Sequence, residues 1–510
     1  MLLICFFAFS FSLIANDTIS FTWKGGHFKI IASENEQFTI DWGDGSAMET
    51  KSGTGKWQLF SQNYSDSEYM VTVFAVTSDC QLTAFDCFFG KEVTSLDVKN
   101  CPSLTWLDCW SNKLTTLDIS HNMALTYLDC SWNQLTSLNV ENNIDLIFLS
   151  CSGNKLTTLD VSQNTQLETL YCGNNSLSSL DISNNIVLKS FECICNQLDS
   201  LDISNNLEIT GLWCYYNQLS SLLFGENEVL TELDCSYNNL SSLHLDKCTS
   251  LKKIRCWQNQ LVSLHLSNCI ELESLECPNN QLTSLDLSSN IALNTIVCND
   301  NKLNRIELNS EAPLQWSFFC YDNQLPLSEL FMISNIVSNA WFRYLGTQQL
   351  ESQEIVQGNT VDYSIQKEFG GEKTVFTVEK DGLPAHQSDY SITEGIIIFN
   401  TPGNYTVTMT NEAIISHPEY PAEVIANIKV NTLERIEIPQ SFNIKLYPNP
   451  VSNILHIEFE NNNIIPEITI YSIQGALLLN TKGNQIDVSS LSNGVYIAEV
   501  EGVCRTIVKW

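Results

Sequence analysis

Residues 125–145 read LTYLDCSWNQLTSLNVENNID, one 21-residue phrase of the form L-x-x-L-x-C-x-x-N-x-L-x-x-L-D-I-S-x-N-x-x. Eleven consecutive copies start at Leu82, Leu104, Leu125, Leu146, Leu167, Leu188, Ile209, Leu230, Leu251, Leu272 and Leu293. A twelfth, distorted copy begins at Leu314. A unit this short cannot bury its own apolar face and must stack on its neighbours. The middle half of the chain is therefore expected to be a solenoid over residues 80–325. Each unit divides in two. L-x-x-L-x-C is the strand of an inner parallel sheet, and L-x-x-L-D-I is a short outer extended segment.

Asparagine stands at the ninth position in eleven of the twelve copies, from Asn112 to Asn323, with Gly90 in the first. Stacked amides there are expected to bond the turn backbone of adjacent rungs and satisfy buried donors and acceptors.

Twelve of the nineteen cysteines recur at the sixth position or its shifted equivalent: Cys87, Cys109, Cys130, Cys151, Cys172, Cys193, Cys214, Cys235, Cys256, Cys277, Cys298 and Cys320. The position calls for a core residue, a role that a buried free cysteine fills well. Adjacent rungs lie about 4.8 Å apart. In-register side chains point the same way, which is poor geometry for bridging. A reduced thiol ladder is expected.

The rest of the chain reads as β-structure. Alternating runs at 19–23, 28–31, 38–42 and 70–75 are short strands within a domain spanning 16–79. The turn Asp41-Trp42-Gly43-Asp44-Gly45-Ser46 joins two of them. Residues 326–346 open with a proline at a helix-start position, followed by Leu327, Leu330, Phe331 and Val337 at helical spacing. A helix sealing the open end of the core is expected there. Strands at 374–378, 395–399 and 405–409 point to an immunoglobulin-like β-sandwich over 347–432. A linker at 433–439 leads into a last β-domain at 440–510. The first fifteen residues are apolar and end at Asn16-Asp17, which fits a secretory signal peptide too short to span a bilayer. The chain as a whole is expected to be mostly β and to lack a transmembrane segment.

Three stretches resemble known families. IDWGDGS at 40–46 resembles the signature turn of polycystic-kidney-disease-type (PKD-like) β-sandwiches. The Leu, Cys and Asn pattern over about 240 residues resembles the cysteine-ladder leucine-rich repeats of internalin-J-like surface proteins. That resemblance implies an extracellular binding or adhesion module; the chain differs in lacking an LPxTG wall anchor. The third stretch begins at Leu446-Tyr447-Pro448-Asn449-Pro450 and continues through Gly475, Gly494-Val495-Tyr496 and a final Thr506 to Trp510. It resembles the type A sorting domain of type IX secretion. This implies export through the type IX machinery by way of 440–510, display on the outer surface of a Gram-negative bacterium, and removal of the domain.

With 25 Lys and Arg against 58 Asp and Glu, the net charge of −33 argues against nucleic acid or anionic membrane as a partner. H-E-x-x-H, G-x-S-x-G and G-x-G-x-x-G are all missing, so no catalytic role and no cofactor are expected. His244, Cys248, His265 and Cys269 offer zinc-ligand types on successive rungs. Histidine lies on the outer segment there, however, and the cysteine replaces an inward asparagine, so a packed cysteine pair is expected instead. The outer column Asp97, Asp118, Asp160, Asp181, Asp202, Asp286 and Glu307 is expected to be solvated and bonded to neighbouring serines and backbone N–H groups.

The inner strand carries the candidate site. With core positions filled by Leu, Cys and Asn, positions three, five and seven must face the concave side. Large aromatics gather there: Trp106, Trp110, Tyr127, Phe148, Tyr171, Trp213, Tyr215, Trp257 and Tyr321, with Phe88 and Phe319. Asp86, Asp108, Asp129, Asp234 and Glu276 are interleaved with them. Exposed clustered aromatics favour recognition, so these residues are the expected platform for an extracellular protein or glycan ligand. Two other readings stay open. One is a structural surface or matrix component in which the rings only stiffen the sheet. The other is an accessory module of an extracellular hydrolase system.

Overall fold

A computed structural model of the protein describes residues 16–64, 67–87, 92–432, 444–459, 467–500 and 503–510. The apolar leader at 1–15, Phe88, Gly90 and the linker at 433–439 lie outside the described residues.

The repeats form the expected solenoid. Each contributes one short strand to a 15-stranded sheet, and the strands pair in parallel without slippage. Trp106, Tyr127 and Phe148 are register partners, as are Leu107, Leu128 and Leu149. Among the described residues the outer segments pair with one another as regular strands at two places, Ser200–Asp202 with Ser221–Leu223 and Ser284–Leu287 with Arg305–Leu308. Among the described residues no helix is long and apolar enough to cross a membrane.

The thiols run in one buried line from Cys87 to Cys320, and all of them are free. Burial raises them well above the usual thiol range, as at Cys109, Cys172 and Cys256, so they stay neutral and act as small hydrophobes.

Two asparagine ladders flank this line. The ninth-position ladder behaves as expected. Asn133 Nδ2 donates to the carbonyls of Cys109, Cys130 and Ser131 at 3.0, 3.1 and 3.2 Å, and its Oδ1 accepts the Leu114 N–H at 2.9 Å. One amide thus ties two rungs together. Asn133→Ala leaves those groups buried without partners. It is expected to cost about 3 kcal/mol or more, read as a fall in denaturant midpoint at constant m-value.

A second ladder at position nineteen is fully buried and works differently. Asn143 Nδ2 donates to the Ile119 and Asn122 carbonyls at 3.2 and 2.8 Å. Its Oδ1 meets no donor, and the same holds at Asn122, Asn164, Asn185, Asn206 and Asn290. In these copies the position asks only for a donor (Asn227 Oδ1, by contrast, accepts the Gly225 N–H at 2.8 Å), which accounts for thiols in place of the amide at Cys101, Cys248 and Cys269. Cys101 Sγ donates to the Leu82 carbonyl at 3.1 Å, and Cys269 Sγ to that of Cys248 at 3.6 Å.

Both ends of the stack are closed. At the N-terminal end, Gly25–Ala32 pairs antiparallel with the first inner strand, Leu82–Asp86. Thr18–Trp23 pairs antiparallel with the first outer segment, Leu96–Asn100. The two sheets of residues 16–79 are therefore continuations of the solenoid, and Phe21 and Phe28 pack against Phe85 across the junction. In the 41–46 turn, Asp41 and Asp44 accept the N–H groups of Gly43 and Ser46, while Gly43 and Gly45 supply the positive φ.

At the C-terminal end, the helix Leu327–Ile336 begins after Pro326 and buries Leu327, Leu330 and Ile333, with Val337 following. Phe331, expected on the same face, is only partly buried. The chain then adds a further rung. Phe342–Tyr344 pairs parallel with Ser317–Phe319. Gln348 takes over the ninth-position ladder, donating to the Cys320 and Leu345 carbonyls at 2.9 and 2.7 Å. Beyond it, Gly403–Thr410 joins Val375–Lys380 and Glu423–Asn431 in a mostly antiparallel sheet, opposite a smaller sheet of Thr360–Asp362, Ile396–Phe399 and Tyr390–Thr393.

Residues 432–510 form a separate compact unit. It contains a three-stranded sheet (Ile444–Tyr447, Ile454–Phe459 and Gln485–Asp487) and a four-stranded one (Leu477–Lys482, Glu467–Ser472, Gly494–Val500 and Val503–Lys509). Asn449 links the first motif to the last strand. Its Nδ2 donates to the Thr506 carbonyl at 2.9 Å, and its Oδ1 accepts the Val508 N–H at 2.8 Å.

Candidate functional site

Positions three and five of most inner strands alternate with the buried leucines and reach solvent, while Ala84, Asp86, Ser150 and Gly211 at these positions are buried. None of Trp106, Trp110, Tyr127, Phe148, Tyr171, Trp213, Tyr215, Trp257 and Tyr321 is buried. They do not form one patch. Trp106, Tyr127 and Phe148 stack in a continuous ladder. Trp106 lies 3.5 Å from Tyr127 at 3°, and Tyr127 lies 4.4 Å from Phe148 at 7°. Tyr171 meets Phe148 edge-on at 5.8 Å. Tyr215 belongs to a second group with Tyr216 and Tyr237. Tyr321 belongs to a third, at the far end, where it packs on Tyr420 and where Phe319 and Tyr420 each stack on Tyr344.

The ladder's orientation has a chemical consequence. Both faces of Tyr127 are covered, by Trp106 on one side and Phe148 on the other. Trp57 approaches Trp106 edge-on at 6.4 Å. The ladder thus offers ring edges to solvent, forming an apolar ridge.

Several aromatics at this surface were not expected. Trp57 comes from the N-terminal domain and is 42% exposed. Trp132, Tyr216 and Tyr237 stand at position eight, and Trp132 is 56% exposed. That position has positive φ in every described repeat copy, from Ser111 to Asp322. Gly153, Asn174, Asn279, Asp300 and Asp322 there are residues that favour this conformation, and they were the available signal.

Carboxylates run beside the rings. Asp86 pairs with Lys29 at 2.9 Å, and Glu276 with Arg255 at 3.3 Å. Asp108 and Asp234 accept the N–H groups of Trp110 and Ser236, each at 3.1 Å. Burial raises Asp108 to about 7, outweighing that bond, with further upward pressure from Asp129 and Asp86. Burial also raises Asp129 despite its bonds to Ser131.

The other candidate clusters do not assemble. His244 and His265 are exposed, while Cys248 and Cys269 are buried, so the four do not converge. Among the described residues, no group of three or more His, Cys, Asp or Glu is placed to hold a metal ion. In the outer column, Asp118, Asp160, Asp181 and Asp286 each accept a serine N–H two residues on, and serine hydrogen bonds hold all four below the usual carboxylate range.

Solved structures similar to the chain include InlJ from Listeria monocytogenes, whose functional domain includes a cysteine ladder. It is 26% identical over 69% of this chain and 91% of that one, with a TM-score of 0.41. An internalin, InlF, from Listeria monocytogenes is 21% identical over 53% and 80%, with a TM-score of 0.45. YopM from Yersinia enterocolitica is 26% identical over 44% and 46%, with a TM-score of 0.35. No curated protein matches the chain. Residues 445–509 match the secretion system C-terminal sorting domain family, so this part of the chain is a sorting domain of that family.

Proposed function

We propose that the protein is exported, displayed on the outer surface of a Gram-negative bacterium, and there binds a protein or glycan ligand through the concave face of its leucine-rich repeats. In this reading residues 80–325 bind, the flanking β-domains cap and space, and residues 440–510 engage the type IX secretion machinery. The observation that carries it is the solvent-facing ladder of Trp106, Tyr127 and Phe148 on consecutive strands, met edge-on by Trp57, beside a carboxylate column. Such a ridge favours a protein ligand, because ring edges insert between partner side chains while ring faces are what sugars stack on.

The test is a protein and glycan array probed with residues 17–432. The double substitution Trp106→Ala and Trp110→Ala is expected to weaken an authentic ligand by well over about tenfold, with little loss of stability, since neither ring fills the core. The outer-face substitution Asp118→Ala should leave binding unchanged. The structural-component reading draws on the same stack and makes the opposite prediction: no array ligand, and a lower melting temperature for the double variant.

A further inference from the structure

Two glycines on the inner sheet surface stand out, and neither has a positive φ. A Cβ on Gly211 would lie 2.4 Å from Cη2 of Trp213. A Cβ on Gly173 would lie 2.6 Å from Oε1 of Glu192 and 2.7 Å from Cγ1 of Ile194. Backbone conformation does not require glycine at these positions; space does. Each glycine lies under a larger side chain that folds down across the sheet. The indole of Trp213 occupies the room above Gly211, and the carboxylate of Glu192 the room above Gly173.

Trp213 and Glu192 are register partners on adjacent strands, and Asp234 is the partner of Trp213 on the other side. Trp213 differs from the Trp106 ladder: among the described residues no ring stacks on it, and it is only partly buried. Glu192 differs from the paired carboxylates. No hydrogen bond or ion pair reaches its carboxylate among the described residues, and burial alone raises it. A half-buried carboxylate without a donor, beside a partly exposed indole that carries no stacked ring, is complementary to a cation carrying N–H groups. The surroundings point the same way. Asp108, Asp129 and Asp234, at the same strand position on other rungs, have no ion-pair partner among the described residues.

We propose that Trp213 and Glu192 form the anchor for an arginine or lysine side chain of a basic protein segment that lies along the inner sheet. The proposal rests on the inner-face reading above and names the chemistry of its partner. The side chain stacks its charged head over the Trp213 indole and bonds Glu192, with Asp234 on the opposite flank. Neighbouring basic residues pair with Asp108 and Asp129.

The test uses the full chain and an acetylated hexapeptide alternating glycine and arginine, titrated at physiological ionic strength to screen diffuse attraction. A neutral hexasaccharide is the second probe. Trp213→Ala, Glu192→Gln and Gly211→Ala are each expected to weaken the peptide about tenfold. The last variant keeps the indole but displaces it. Asp181→Asn, on the outer column, should bind as the parent does, and circular dichroism melts establish that each variant is folded. Equal peptide affinity in the parent and all three inner variants overturns the proposal, as does preference for the hexasaccharide. If Trp106→Ala with Trp110→Ala still abolishes an array ligand in that case, only the anchor assignment falls. If it does not, the inner-face reading falls with it.

Discussion

Cys172→Asp is expected to destabilise the solenoid by more than about 4 kcal/mol. Cys172 is fully buried, and its Sγ donates to the Glu192 carbonyl at 3.4 Å. A carboxylate in its place would face that carbonyl oxygen with no donor to offset its desolvation. The rungs couple only to their neighbours, so the damage should also split a cooperative melt into separate transitions for the two halves of the stack. A calorimetric scan checks both effects. A single transition at the parent temperature would show that the sixth position is not a core position.

The second large effect concerns export. Deleting residues 440–510 is expected to abolish surface display and leave the protein in the periplasm. Residues 445–509 match the sorting-domain family. The hydrophobic core of this unit is separate from that of the rest of the chain. The remaining chain should therefore keep its melting temperature. Cell fractionation with surface proteolysis reads the location. Undiminished display of the truncated protein would separate the sorting-domain match from function in this chain.

The sequence made the solenoid legible because its period is enforced by burial. Leu, Cys and Asn recur where Leu128, Cys130 and Asn133 fill the core or bond the turn backbone. The helix after Pro326 was legible for the same reason. Strands that bury little were not. Glu49–Ser52 is exposed throughout and carries no hydrophobic alternation. The rung at Phe342–Tyr344 has neither the leucine nor the cysteine of its predecessors, and Gln348 performs the asparagine's task from a different spacing. Pairing across the N-terminal junction is non-local, so nothing in residues 16–79 reveals that Gly25–Ala32 continues the inner sheet.

The candidate site was legible in its residues and not in their geometry. Alternation placed Trp106, Tyr127 and Phe148 at the surface. Stacking that stiffens the sheet was one of the readings the spacing allowed, but the face-to-face geometry depends on side-chain rotation, which alternation does not encode. It also missed Trp132, Tyr216 and Tyr237, which face outward only because position eight adopts a left-handed backbone. The roles of Gly173 and Gly211 follow from the reach of Glu192 and Trp213, which spacing does not encode.

The central claim is that the inner sheet face meets the ligand. Hydroxyl-radical footprinting of the full chain, with and without a ligand taken from the array, tests it directly. Met123 is 61% exposed at a position outside the inner strands and serves as an internal reference. The account predicts that ligand protects Trp106, Tyr127 and Phe148 from oxidation and leaves Met123 unchanged. Protection of Met123 with undiminished oxidation of the three rings would contradict it.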